Sequence, residues 1–460
     1  MSSILIALMI FIMVLATTLT PYAALLAYEW TSYLPVGQMS YGPLAGIKYP
    51  KFTAAIVIIA FAVSQRDKFS KVGPAAFLIA AYAVWVTITS YFTAVADPSW
   101  VMVKWDNAVK TIIMAWFLYM MTDSRARMEA FLSLYAIALS YWIVAGAWQT
   151  IVSGGGYGSV AAGGGYLLAD GSVLTIATII ACCAVYWISK YTVLAPPGFK
   201  KFYPLLAYGF MALSVIMIIG TQARTGLVAG VAAFAWYLVK AKKKGPPIAL
   251  AGLAAVLIFS FAPAEWFERM STIFADSEGN REGSSAGRVM AWLWGWNYVL
   301  ENPVFGGGFR VYYALHVVTM ENGVTRIIDS HSWFFEILVE QGFVGMAIFA
   351  SLCASAGFGL FGVEQRLKGD PEYEWARDLS RFLQIGLVGL LIGGLFVGIG
   401  HFAIMWDMLA ICAALPRVVA LEKKRATQRI GAVEAEPSKS PSRVRTLGGL
   451  GTPGVAARSR

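Results

Sequence analysis

Charge is what this chain has least of. Asp, Glu, Lys and Arg make up 13% of its 460 residues, about half the share found in a soluble globular domain. With a composition that is 58% hydrophobic, a water-soluble fold would leave apolar surface uncovered, whereas bilayer hydrocarbon accepts it directly. Cysteine is scarce as well. Cys182, Cys183, Cys353 and Cys412 lie inside apolar stretches without C-x-x-C spacing, which argues against a disulfide framework and a cysteine zinc site. Histidine is limited to His316, His331 and His401, scattered and without spaced carboxylates, so no metal centre and no cofactor is expected. Glycine is plentiful, but the runs at 154–156, 163–165 and 306–308 lack the Lys-Ser/Thr of a phosphate-binding loop and the strand–turn–helix setting of a dinucleotide fold. They read as flexible extracytoplasmic turns.

What is present is a succession of apolar windows near the roughly 20 residues needed to cross a bilayer. They fall at 4–28, 47–64, 74–94, 106–122, 129–152, 168–189, 203–221, 225–240, 247–263, 342–362, 382–400 and 402–419. The pattern predicts an all-α polytopic integral membrane protein with about twelve transmembrane helices. One long polar interval, at about 263–341, separates the ninth and tenth windows and is expected to carry short helices. The transmembrane domain is expected over 1–420. Residues 421–460, rich in Ala, Gly, Pro, Ser and Arg, read as a basic, disordered cytoplasmic tail that meets anionic lipid. The first window lacks a basic leading segment and reads as a span rather than a cleaved signal peptide.

A net charge of +10 would suit nucleic acid, but its placement points to a membrane instead. Of the 36 Lys and Arg residues, 26 fall in alternate connections and in the tail. The positive-inside rule makes those segments cytoplasmic, both termini included, and turns the 263–341 interval to the other side, the periplasm in a bacterium. Membrane lipid is therefore an expected partner and nucleic acid is not. Five of the other ten cations, Arg269, Arg281, Arg288, Arg310 and Arg326, stand in that interval against the bias.

Ser284-Ser285-Ala286-Gly287 reads as a turn into an amphipathic helix at about Arg288 to Leu300. On it Arg288, Trp292 and Trp296 recur every four residues and share a face. A guanidinium fork flanked by indoles at headgroup depth suits a lipid-linked phosphate; an ordinary interfacial helix would look the same. Arg224 lies in a short turn between two spans, Gly220-Thr221-Gln222-Ala223-Arg224-Thr225-Gly226. Ionisable groups so close to the membrane are functional by default, with a snorkelling anchor as the alternative. His331 follows Asp329 by two positions and opens a helical run from Ser332 to Val339. Its imidazole can take a proton from an attacking hydroxyl, although a lone histidine is more often a satisfied polar residue. Glu336 and Glu340 are four apart, a spacing common on exposed helices. Arg310, Asp329 and Glu340 are secondary candidates. Asp170, beside Gly171, is a pocket residue or, more simply, a helix entry.

Taken in order, these residues resemble the O-antigen ligase and O-antigen polymerase superfamily of bacterial membrane glycosyltransferases. The resemblance is carried by Ala223-Arg224-Thr225-Gly226, Gly287-Arg288 through Trp292, Asn302-Pro303 with Gly306-Gly307-Gly308-Phe309, His331-Ser332, and Glu340-Gln341-Gly342-Phe343-Val344-Gly345. The stretch Pro21-Tyr22, Trp30-Thr31-Ser32-Tyr33-Leu34-Pro35 and Ser40-Tyr41-Gly42 is similar to the O-glycosylation ligase branch associated with exosortase systems. The resemblance implies glycan transfer from undecaprenyl diphosphate to a hydroxyl on lipid, protein or glycan, at the periplasmic face of the inner membrane. It implies that Arg224 and Arg288 hold the diphosphate and that His331 is a base or orients the acceptor, without a required metal. Ligase and polymerase are both open within the family. A lipid-linked glycan flippase or exporter is the reading from another class; polar groups gathered in one asymmetric outer loop, rather than in repeated halves at mid-membrane, favour the enzyme.

Overall fold

The computed structural model describes residues 20–34, 47–63, 72–154, 170–241, 285–319, 325–327 and 329–435, with a few single residues and short pieces between them. Among the described residues the secondary structure is helical apart from one small pair of strands. Helices α1 (Pro21–Tyr33), α2 (Tyr49–Val63), α3 (Pro74–Tyr91), α4 (Pro98–Met121), α5 (Arg125–Ser153), α6 (Gly171–Tyr191), α7 (Tyr203–Thr221) and α8 (Arg224–Lys240) form the first part. Then come α9 (Ser285–Glu301), α10 (Val311–Leu315), the strands β1 (Val317–Thr319) and β2 (Thr325–Ile327), α11 (Trp333–Arg366), α12 (Glu374–Gly394) and α13 (Ala403–Ala435). The strands pair antiparallel, Val318 opposite Arg326. The all-helical expectation did not include them.

Local chemistry sets the starts. Proline occupies the first turn of α1, α3 and α4, where its missing N–H and fixed φ cost nothing. Asp97, Ser124 and Asp170 cap α4, α5 and α6 through side-chain oxygens, each worth about 1 kcal/mol. Asp170 accepts from Ser172 N–H at 2.7 Å and Val173 N–H at 3.2 Å, which is the helix-entry role.

Six described helical segments are long and apolar enough to cross a membrane: Pro74–Tyr91, Arg125–Ser153, Gly171–Tyr191, Pro197–Thr221, Trp333–Arg366 and Ala403–Arg429. The protein is a multi-pass helical membrane protein. Described helices overlap every expected window except 247–263, most of which lies outside the described residues, as do Arg269, Arg281 and residues 436–460. Boundaries differ in instructive ways. Helix α4 starts at Pro98, so Lys104 sits within it. Helix α11 starts at Trp333 rather than near 342, because its helical run continues through a break at Gly342 (φ 67°, ψ −176°). Helix α12 stops at Gly394, and a partly buried non-helical turn carries the chain to α13. Helix α13 continues past 421 to Ala435, so the part of the expected tail that is described is helical.

The packing brings α12 against α6 and α8, and α11 against α3, α12 and α13. Within lipid, close backbone approach replaces the hydrophobic drive between helices. Gly226, two residues past Arg224, shows this: a Cβ there would lie 2.6 Å from the Thr175 methyl of α6. The Arg224 turn is thereby seated on the start of α6, beside Asp170.

Candidate active site

The polar interval is fastened to the membrane helices at the α11 break. Gly307 N–H donates to the Val339 carbonyl (2.8 Å), Gly308 N–H to the Glu340 carbonyl (3.0 Å) and Phe343 N–H to the Pro303 carbonyl (2.8 Å). Both sides of this joint need glycine. Gly306 and Gly342 have φ of 66° and 67°, a region that only glycine enters freely. A Cβ on Gly306 would lie 2.5 Å from the Val339 carbonyl oxygen, and one on Gly342 would strike the Val304 carbonyl. The 306–308 run is therefore a packed seam against α11, not the flexible turn its composition suggested. The Glu340-Gln341-Gly342 sequence is its counterpart.

Arg288 and Arg224 come together. Arg288, on the first turn of α9, is half-buried, and its Nε meets no hydrogen-bond partner among the described residues. Burial, and after it the positive charge of Arg224, hold this guanidinium below the usual arginine range, with the Asp170 carboxylate acting the other way. It remains charged at any physiological pH. Two guanidinium groups within electrostatic reach of each other, one with an unused N–H, form a setting that an anion with several oxygens would relieve.

Trp292, one turn along α9, ties this pair to the next part of the site. Its indole N–H donates to the Ser330 carbonyl (2.8 Å), and its ring stacks on Phe335 at 5.5 Å and 11°. This corrects the shared headgroup-facing stripe: Trp292 turns inward, and only Trp296, 44% exposed, stays out, edge-on to Phe343. Ser330 precedes His331, which is exposed and holds a left-handed backbone at φ 44°. For a non-glycine residue that conformation is uncommon, and such residues gather at functional sites. Gln222 and Arg310 share it. Asp329 accepts from the Tyr313 hydroxyl (3.2 Å) and the Ser330 N–H (2.7 Å), so it shapes the His331 turn. Trp333 packs on Gly394, and Gly393 on Ala229 of α8. The end of α12 thus lies between the supports of His331 and Arg224.

Glu336 and Glu340 are not the exposed pair that their spacing suggested. Both are buried and close on Lys104 of α4, whose Nζ lies 2.8 Å from Glu336 Oε1 and 2.7 Å from Glu340 Oε1. Glu340 Oε1 also accepts the Arg310 backbone N–H (2.8 Å), and Glu336 Oε2 accepts the Gly400 N–H (2.9 Å). His401 completes the group. Its Nδ1 is 3.7 Å from each glutamate, and its Nε2 is 3.1 Å from the Tyr82 hydroxyl. Ligand atoms of Glu336, Glu340 and His401 lie within 4.8 Å of one another, close enough to hold a metal ion. The Lys104 ammonium already bridges those carboxylates, so a cation added there would meet another. Sequence reasoning missed Lys104 and ranked His401, at a helix junction, below His331. The available signals were a lysine at the edge of an apolar window and a histidine at the division between two others.

Two known families match parts of the chain. Residues 209–350, which include Arg224, Arg288, Arg310, Asp329, His331, Glu336 and Glu340, match the O-antigen ligase family. Residues 1–193 match a family of unknown function (DUF5935). A search of curated proteins finds no match. That domain, similar to O-antigen ligases over residues 209–350, is set in a multi-pass helical bundle.

Proposed function

We propose that this protein transfers a glycan from undecaprenyl diphosphate to an acceptor hydroxyl on lipid, protein or a growing polysaccharide, at the periplasmic face of a bacterial inner membrane. The observation that carries the reading is the Arg224–Arg288 pair, half-buried, mutually repelling and with an unused Arg288 Nε–H. In the reaction the acceptor oxygen bonds to the anomeric carbon as the bond from that carbon to the diphosphate oxygen breaks. Undecaprenyl diphosphate leaves with the bonding pair, and the hydroxyl proton passes to His331. Diphosphate is already a good leaving group, so catalysis consists mainly of fixed positive charge at its oxygens and of positioning. A base adds about 10²–10⁴-fold. Arg310 and Asp329, beside Tyr313, line the acceptor side, and Glu340 holds Arg310 in place. The named residues supply the cations themselves, so the proposed reaction is metal-independent.

The proposed topology has about twelve crossings, a transmembrane domain over 1–420, both termini in the cytoplasm and the 263–341 interval outside. Arg224→Ala and Arg288→Ala should each abolish transfer while membrane levels stay normal, and His331→Ala should lose most of the rate. The assay is purified protein in detergent with a lipid-linked glycan and an acceptor. Full activity of both arginine variants would sink the reading, and a protein that transports but never transfers would be an exporter.

A further inference from the structure

The buried group around Lys104 does not balance its charge. Lys104 carries one positive charge and faces two carboxylates, Glu336 and Glu340, with side chains only 8% and 3% exposed. An uncompensated buried charge is strongly destabilising. Beside it stands His401, 3% exposed at the side chain, with a buried Nδ1 that has no hydrogen-bond partner among the described residues and sits 3.7 Å from both carboxylates. The other ring nitrogen is engaged with Tyr82. Among the described residues, His401 otherwise meets uncharged groups: Phe309 edge-on at 4.9 Å and Tyr82, with Cys353 beside Tyr82. The next charged groups out, Arg310 and Asp329, are opposite in sign and lie on the loop side near Tyr313.

We infer that Lys104, Glu336, Glu340 and His401 form a proton-binding clamp that holds one further proton between His401 Nδ1 and the Glu340 carboxylate. The proton gives His401 Nδ1 the partner it lacks, and it makes the group neutral as a whole. The clamp ties four elements. Through Glu340 it fixes the Arg310 backbone, through Glu336 the Gly400 turn, and it sits one turn past Ser332 at the His331 end of α11. Lys104 and His401 are positioning residues for the site. That part of the inference rests on the proposed function; the proton does not.

The test uses the full-length protein in detergent, with unfolding followed by tryptophan fluorescence from about pH 5 to about pH 9. The folded clamp holds a proton that the unfolded chain releases over this range, so the stability it contributes is present at acid pH and lost as pH rises. Glu340→Gln leaves Lys104 and Glu336 balanced without the proton. Its unfolding midpoint should gain several degrees on wild type between the acid and the alkaline end. His401→Gln removes one home of the proton, and its deficit should be largest at acid pH. Offsets from wild type that stay constant across the range overturn the inference, and if one variant fails to fold the other decides. Positioning is read below both midpoints, as the pH profile of undecaprenyl diphosphate binding, which should flatten in Glu340→Gln; an unchanged profile removes the positioning role. A wild type that binds no undecaprenyl diphosphate overturns the proposed donor, and the midpoints still decide the clamp.

Discussion

A guanidinium keeps its charge in almost any surroundings, so the cost of half-burying Arg288 beside Arg224 falls on the fold rather than on protonation. That makes the identity of the side chain testable apart from its charge. Arg288→Lys keeps the positive charge and loses the planar fork. Transfer should fall by at least about tenfold, the worth of one charge-assisted hydrogen bond, at equal protein in the membrane. A lysine variant at the wild-type rate would mean that a point charge suffices. Single residues were unevenly legible in the sequence. Arg224, Arg288 and His331 stood out because each is polar where apolar or small residues surround it. Lys104 did not, because its meaning depends on Glu336 and Glu340, more than two hundred positions away in the chain and brought to it only by packing.

At the scale of elements, the decisive feature is a helix that does not run straight. Helix α11 carries His331 at its approach, Glu336 and Glu340 on its first turns and then a left-handed glycine, and the Asn302–Arg310 segment docks into the gap with backbone hydrogen bonds on both sides of Gly342. Gly342→Ala should destabilise the protein by about 1–3 kcal/mol from backbone strain, with the collision against the Val304 carbonyl added to it. The unfolding midpoint checks this, and Gly357→Ala, in open space on the same helix, is the control that should leave it unchanged. An unshifted midpoint in Gly342→Ala would mean that the seam carries no weight. The helical run from Ser332 to Val339 and the apolar window from 342 were both readable from sequence, but not their union across Gly342. The polar Glu336, Glu340 and Gln341 hid it, because a membrane helix that buries charge against a partner looks polar until the partner is known.

For the molecule as a whole, hydropathy found the membrane helices because each must satisfy its own backbone in lipid, while the ends of α4, α12 and α13 were set by contacts that hydropathy does not see. Arg417 shows the effect: it lies within the span Ala403–Arg429 and donates to the carbonyls of Met120 (3.0 Å) and Thr122 (2.9 Å) at the end of α4. An arginine so used satisfies orphaned helix-end acceptors, so α13 runs on past the point where its charges suggested a tail. Arg125 and Arg425 gather at the same end of the bundle, Arg425 on the Asp123 carbonyl and Arg125 over the Trp375 ring. Arg224, Arg288 and His331 belong to the other. This polarity yields the last prediction. With Cys182, Cys183, Cys353 and Cys412 replaced by alanine, single cysteines at Ser99 and at Thr427 should label oppositely with a membrane-impermeant maleimide on intact spheroplasts. Ser99, at the exposed start of α4, should react before lysis, and Thr427, exposed near the end of α13, only after it. Labelling of both before lysis would break the two-ended arrangement, and the reverse pattern would turn the bundle over and move the arginine pair to the cytoplasm, where a lipid-linked donor at the outer face could not reach it.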